Sequence, residues 1–63
     1  MKRIVKERKK KEMTQSDLAF TLRIQPAQLS KIENGRSLPY RPTEKKLEDF
    51  FNMDIEKLLE EVD

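Results

Sequence analysis

A chain of 63 residues with no cysteine and no histidine has one route to a stable domain. It must bury apolar side chains, because disulfides and the usual zinc-ligand sets are closed to it. Charged residues make up 41% of the sequence, yet apolar positions recur in short, ordered patterns. That combination predicts a small charged globule, a single domain over residues 1–63, and not a disordered tail. No apolar run reaches the length of a membrane span or a signal h-region, so the expectation is a soluble, intracellular chain.

One glycine and three prolines fall where helices should begin or end. Residues 3–11 set Ile4, Val5 and Arg8 along one side of a lysine-rich first helix. Thr14-Gln15-Ser16-Asp17 reads as the start of a second, with a capping hydroxyl followed three positions later by an acid. Leu18, Ala19 and Leu22 share one face of that helix. Arg23-Ile24-Gln25 is a turn of the length that joins two helices at a sharp angle. Pro26 then opens a third helix, since its missing N–H would have had no partner at the first position. This helix runs from Pro26 to Asn34, buries Leu29 and Ile32, and stops at Gly35 in a left-handed cap. Arg36 to Pro42 reads as a loop. A fourth helix follows near Thr43, with Leu47, Phe50 and Phe51 inward and Asn52 in a left-handed turn at its end. Asp54 is placed to cap a short fifth helix that turns Ile55, Leu58, Leu59 and Val62 inward. Nothing reads as a strand. The fold class is therefore all-α, with five helices.

Charge is divided unevenly along the chain. Residues 1–36 hold ten Lys/Arg against four Asp/Glu, and residues 37–63 hold four against eight. A basic first half suits a polyanionic partner, and an acidic second half suits a surface turned away from it. An enzyme is disfavoured. Without histidine, cysteine or a glycine-rich loop, the acids and lysines show no paired arrangement suited to acid–base chemistry. No cofactor, metal or small-molecule substrate is expected.

Met13-Thr14-Gln15-Ser16-Asp17-Leu18-Ala19, then Leu22-Arg23-Ile24, then Leu29-Ser30-Lys31-Ile32-Glu33-Asn34-Gly35 together resemble the Cro/C1-type, or Xre, helix-turn-helix family. The resemblance extends over nearly the whole chain. It implies a five-helix, lambda-repressor-like DNA-binding domain with the helix-turn-helix at the second and third helices. Small Ala19 lets those helices approach closely, while Leu18, Leu22, Ile24, Leu29 and Ile32 lock their crossing. The outer face of helix 26–34 is then free to enter a major groove about 12 Å wide.

The resemblance implies roles for individual residues. Bases are read by Pro26, Ala27, Gln28 and Lys31, with Gln25 flanking or spent on capping its own helix. Gln28 suits the N6/N7 edge of adenine, Lys31 guanine O6/N7, and Pro26 and Ala27 a thymine methyl. Gln15 is expected on a phosphate, where the free N–H groups of a helix start also attract anions. Ser30, Asn34, Arg36, Ser37 and Arg41 are expected to hold the backbone without reading sequence. Tyr40 is open to two roles, a phosphate donor or a residue packed under the loop. Glu33 faces inward, where a lone carboxylate is costly, and the family pairs this acid with an arginine of the first helix, which here is Arg8. Lys9, Lys10 and Lys11 fit a solvated face better than a DNA contact.

The sequence departs from the family pattern at a few places. Glu12 and Arg23 stand where the family often has glycine, Glu7 where it often has an apolar residue, and Phe20 at a usually polar position. The leading expectation is a sequence-specific bacterial or phage transcriptional regulator: a repressor, a Cro-like switch or a controller protein. It would be cytoplasmic and nucleoid-associated, and would bind double-stranded DNA at a pseudo-palindromic operator as a homodimer. Phe50, Leu58, Leu59 and Val62 are the candidate dimer contacts, though all four could instead complete the monomer's core, the better reading for Phe50 and Leu58. The alternative is an interaction module of the same fold, an antitoxin or antirepressor, motivated by Phe20 and the acidic fifth helix.

Overall fold

A computed structural model describes all of residues 1–63. Five helices follow in order: α1 (Arg3–Lys10), α2 (Gln15–Leu22), α3 (Pro26–Glu33), α4 (Arg41–Phe51) and α5 (Ile55–Leu58). The molecule is all-α and has no strand. A lone antiparallel bridge pairs Lys2 with Glu61. Around that bridge Arg3 N donates to Glu60 O and Val62 N to Met1 O, and Lys2 Nζ lies 3.2 Å from a Glu61 carboxylate oxygen. The lysine, together with its hydrogen bond to the acid, holds the Glu61 carboxyl below its ordinary range. These pairings lock the segment after α5 against the start of α1, a contact the helical periodicity does not reveal.

Each helix contributes to one core. Ile4, Leu18, Ala19, Leu22, Leu29, Leu47, Phe51, Ile55 and Leu58 form a contiguous buried cluster, and Ile32 is buried with them. Val5, Met13, Ile24, Phe50, Met53 and Leu59 pack around its rim. Burying one such aliphatic side chain is worth about 1.5–3 kcal/mol. A core of this size is what a chain without staples needs. Leu58 has no exposed surface, which puts it in the monomer's own core, the preferred of its two readings, and removes it from the candidate dimer contacts. Phe50 is half-buried, meets Phe51 edge to face with centroids 5.0 Å apart, and carries Lys11 Nζ 5.2 Å above its ring. Leu59 and Val62 remain partly exposed.

Local chemistry accounts for the boundaries. Thr14 and Asp17 form a reciprocal capping box: Asp17 N donates to Thr14 Oγ1 at 3.0 Å and Thr14 N to Asp17 Oδ2 at 2.9 Å. Pro26 sits in the first turn of α3. Gly35 follows that helix at φ +75°, the left-handed conformation that glycine adopts freely. Glu12, Arg23 and Asn52 hold φ of 56°, 57° and 53°, so the turns before and after α2 and the end of α4 keep a left-handed residue where no glycine is present. Each side chain there carries strain of roughly 1 kcal/mol or more.

Three expectations about helix ends are corrected. Helix α4 begins at Arg41, not Thr43, because Pro42 lies within its first turn and needs no N–H donor there. The loop accordingly ends at Tyr40. Asp54 occupies the position before α5 but makes no capping bond. Instead Glu48, on α4, reaches over and accepts from Ile55 N at 2.9 Å. Asn34 caps α3 and lies outside it.

Candidate nucleic-acid interface

Helices α2 and α3 are held at a fixed angle by their buried inner faces and by one polar hub. Arg8 Nε donates to Glu33 Oε2 at 2.9 Å, and Arg8 Nη2 to Glu33 Oε1 at 3.1 Å. The third donor, Nη1, reaches Met13 O at 2.8 Å. Gln15 Nε2 adds a bond to Glu33 Oε1 at 2.8 Å. A carboxylate on α3 is thereby tied to α1, to the start of α2 and to the loop between them. Arg8 and Glu33 are both buried, so the pair is shielded from water and its geometry is kept strict.

The hub changes how the start of α2 can meet an anion. Gln15 has one amide hydrogen committed to Glu33, and the N–H groups of Thr14 and Asp17 are taken by the capping box. The Asp17 carboxyl is held below its ordinary value by hydrogen bonds from Thr14, the backbone one foremost. Its negative charge therefore stays at the helix start. What remains for an anion there is the second amide hydrogen of Gln15 and the first N–H groups of the helix.

The outer side of α3 is open. Gln25, Pro26, Ala27 and Lys31 are exposed, and Gln28 and Ser30 are half-buried. Gln25 makes no capping bond to its own helix, so the expectation that it is spent on capping is corrected. Gln28 Nε2 donates to Thr43 Oγ1 at 3.4 Å, and Thr43 itself is buried. Asn34 Nδ2 donates to Ser30 Oγ at 3.4 Å, linking two of the residues assigned to phosphate. Asn34, Arg36 and Ser37 lie exposed beyond the end of α3. Arg41 lies on α4 and is paired with Glu44 at 3.1 Å and with Glu48 at 3.9 Å. A phosphate at Arg41 must compete with those acids, though three-quarters of its side chain is in water and the pairs are weak.

The loop between α3 and α4 adds residues that no helical pattern singles out. Pro39 is buried, and its neighbours Leu38 and Tyr40 project outward, 82% and 77% exposed. Tyr40 is therefore not packed under the loop. Leu38, Tyr40 and Ser37 face Ala27, Gln28 and Lys31 across an open cleft of about 440 Å³. Lys2 is a second addition: its Cε and Nζ pass 3.4 and 3.9 Å from where a Cβ on Gly35 would sit, which sets an ammonium beside the end of α3. The signal for Lys2 lies in terminal pairing and was not readable from local sequence.

On the opposite side of α2, Phe20 is 86% exposed. It borders a shallow hollow lined in part by Met13, Ala19, Ile24 and Pro26. Lys9, Lys10 and Lys11 are exposed on α1. Glu7 pairs with Lys10 at 3.3 Å, which gives its carboxylate a partner where an apolar side chain would otherwise sit. No helix is long and apolar enough to cross a membrane.

A family model described as a helix-turn-helix domain matches residues 1–63. Neither the curated proteins nor the solved structures contain a match.

Proposed function

The chain belongs to the helix-turn-helix domain family, and on that premise we propose that it is a sequence-specific regulator that binds double-stranded DNA through the outer face of α3. The observation that carries the reading is a division of labour within one helix. Leu29, Ile32 and Glu33 are buried, while Pro26, Ala27 and Lys31 stand in solvent with nothing folded over them. An α-helix held from behind and bare in front is the shape a major groove accepts. Gln28 and Lys31 supply the polar readers, and Pro26 and Ala27 the apolar contact. Arg36, Asn34, Ser37 and Arg41 flank this face as backbone clamps, with Gln15 on the other side.

One such domain makes few phosphate contacts and binds weakly at physiological salt. A homodimer spanning two half-sites about one helical turn apart binds far better. We assign its contacts to the partly exposed Leu59, Val62 and Phe50, which leaves the reading face clear. The specific role is that of a bacterial or phage transcriptional regulator of the Cro/C1 type, a repressor or controller.

Phe20 supports a second reading, an interaction module of the same fold, since a phenylalanine standing in water beside an apolar hollow suits a protein partner. Mobility shifts on a randomised duplex pool separate the two. Salt-sensitive binding that enriches one sequence supports the regulator, and no binding below ~10 μM at low salt overturns it. On the enriched site, Gln28→Ala should relax preference at one base pair, a loss of ~1–3 kcal/mol. Arg36→Ala should weaken all sequences about equally and flatten the salt dependence.

A further inference from the structure

We infer that the cleft between α3 and the loop that follows it reads one A·T base pair, with Thr43 as a positioning residue for Gln28 and Leu38 as the wall that receives the thymine methyl. The inference rests on the DNA-binding reading and names what that face recognises. A glutamine amide offers two N–H donors and one acceptor oxygen. Here one donor is committed to the Thr43 hydroxyl, and Thr43 is buried on α4, so the bond also fixes which way the amide faces. One N–H and the oxygen are left without a partner in the chain. Adenine presents one acceptor, N7, and one donor, N6–H, and matches that remainder. Guanine presents two acceptors, N7 and O6, and would need both hydrogens of an amide that has only one to give. The tether to Thr43 thus selects adenine over guanine.

The rest of the cleft fits the other half of the pair. The major-groove edge of an A·T pair carries a methyl group on its thymine side. Ala27 lies on one side of the cleft, and Leu38 and Tyr40 on the other. Leu38 is 82% exposed on a loop pinned by buried Pro39, and a leucine presented in this way gains by covering an apolar group. Lys31 borders the same cleft and supplies a cation for the polyanion that would bring the base pair in.

The test begins with a site enriched from a randomised pool by the unaltered chain, with affinities read by fluorescence anisotropy. Replacing thymine by deoxyuridine, which removes only the methyl, should weaken binding about fourfold at one position per half-site, the worth of one buried methyl group. L38A should bind the thymine site more weakly and be indifferent to the same replacement. T43V should lower the preference for adenine over guanine at the partner base by at least ~5-fold, and T43S should retain it. A merely structural role would weaken the adenine and guanine sites alike, so the readout is the ratio of the two affinities, which T43V should lower and T43S should keep. Indifference to deoxyuridine at every position, an enriched site without an A·T pair, or an unchanged adenine preference in T43V overturns the inference and leaves DNA binding standing. The deoxyuridine arm needs no variant, so it decides even if T43V fails to fold. If no sequence is enriched, the DNA-binding reading falls, and the inference with it.

Discussion

Replacing Arg8 by alanine removes three donors at once: two from the Glu33 carboxylate, at 2.9 and 3.1 Å, and one from Met13 O at 2.8 Å. Gln15 Nε2 alone then remains on a buried negative charge. Stranding one member of a buried ion pair costs about 3–5 kcal/mol. The lower figure, ~3 kcal/mol, applies here because Gln15 keeps one bond to the acid. A domain of this size is stable by only ~3–9 kcal/mol in total. The loss is therefore a third or more of its stability, or a melting temperature lower by ~12–24 °C. Urea unfolding followed by far-ultraviolet circular dichroism measures it. The same experiment on Arg8→Met, Glu33→Met and the double variant closes a thermodynamic cycle. With both charges gone and apolar chains of similar length in their place, the double variant should recover much of what Arg8→Met loses, since nothing charged is left buried. A coupling below ~0.3 kcal/mol would refute the reasoning, because it would mean that Glu33 finds other partners or reaches water.

Two further outcomes follow from backbone and capping geometry. Arg23→Gly relieves a side chain at φ 57° and should raise the melting temperature by ~4 °C; a decrease would mean that the arginine side chain supports the turn by more than its backbone strains it. Asp17 has its carboxyl lowered by hydrogen bonds from Thr14, so its stabilisation is present above the unfolded carboxyl's range and lost as pH falls through the folded one. Thermal melts of Asp17→Asn and the unaltered chain should differ at neutral pH and converge in strong acid, and a gap that persists in acid contradicts the assignment.

Much of the fold was legible because its signals are local. Thr14 and Asp17 lie within one turn of each other, Pro26 opens its helix and Gly35 closes the next turn, and each spacing has one cheap geometric reading. The failures share a cause. Asp54 stands where a capping residue should stand, but Glu48 reaches the same N–H from the preceding helix, and nothing within a few residues of Asp54 signals that competition. Pro42 reads locally as a loop residue, and only the packing of Thr43 and Leu47 draws it into the first turn of α4. Lys2 and Glu61 meet across nearly the full length of the chain. The candidate interface divides in the same way. The outer positions of α3 follow from periodicity alone, whereas the bond from Gln28 to Thr43 and the outward turn of Leu38 depend on how the α3–α4 loop closes, which no pattern encodes.

The two sides of α3 have almost no residue in common. Exchanging Ala27 or Lys31 for other side chains disturbs neither the Leu29 and Ile32 packing nor the hub at Glu33, so drift at those two places is nearly free of folding consequences. Gln28 is the exception, because it is bonded to a buried threonine. If α3 reads DNA as proposed, substitution at Ala27 or Lys31 can change what it reads without touching the core, while a change at Gln28 has to be matched at Thr43.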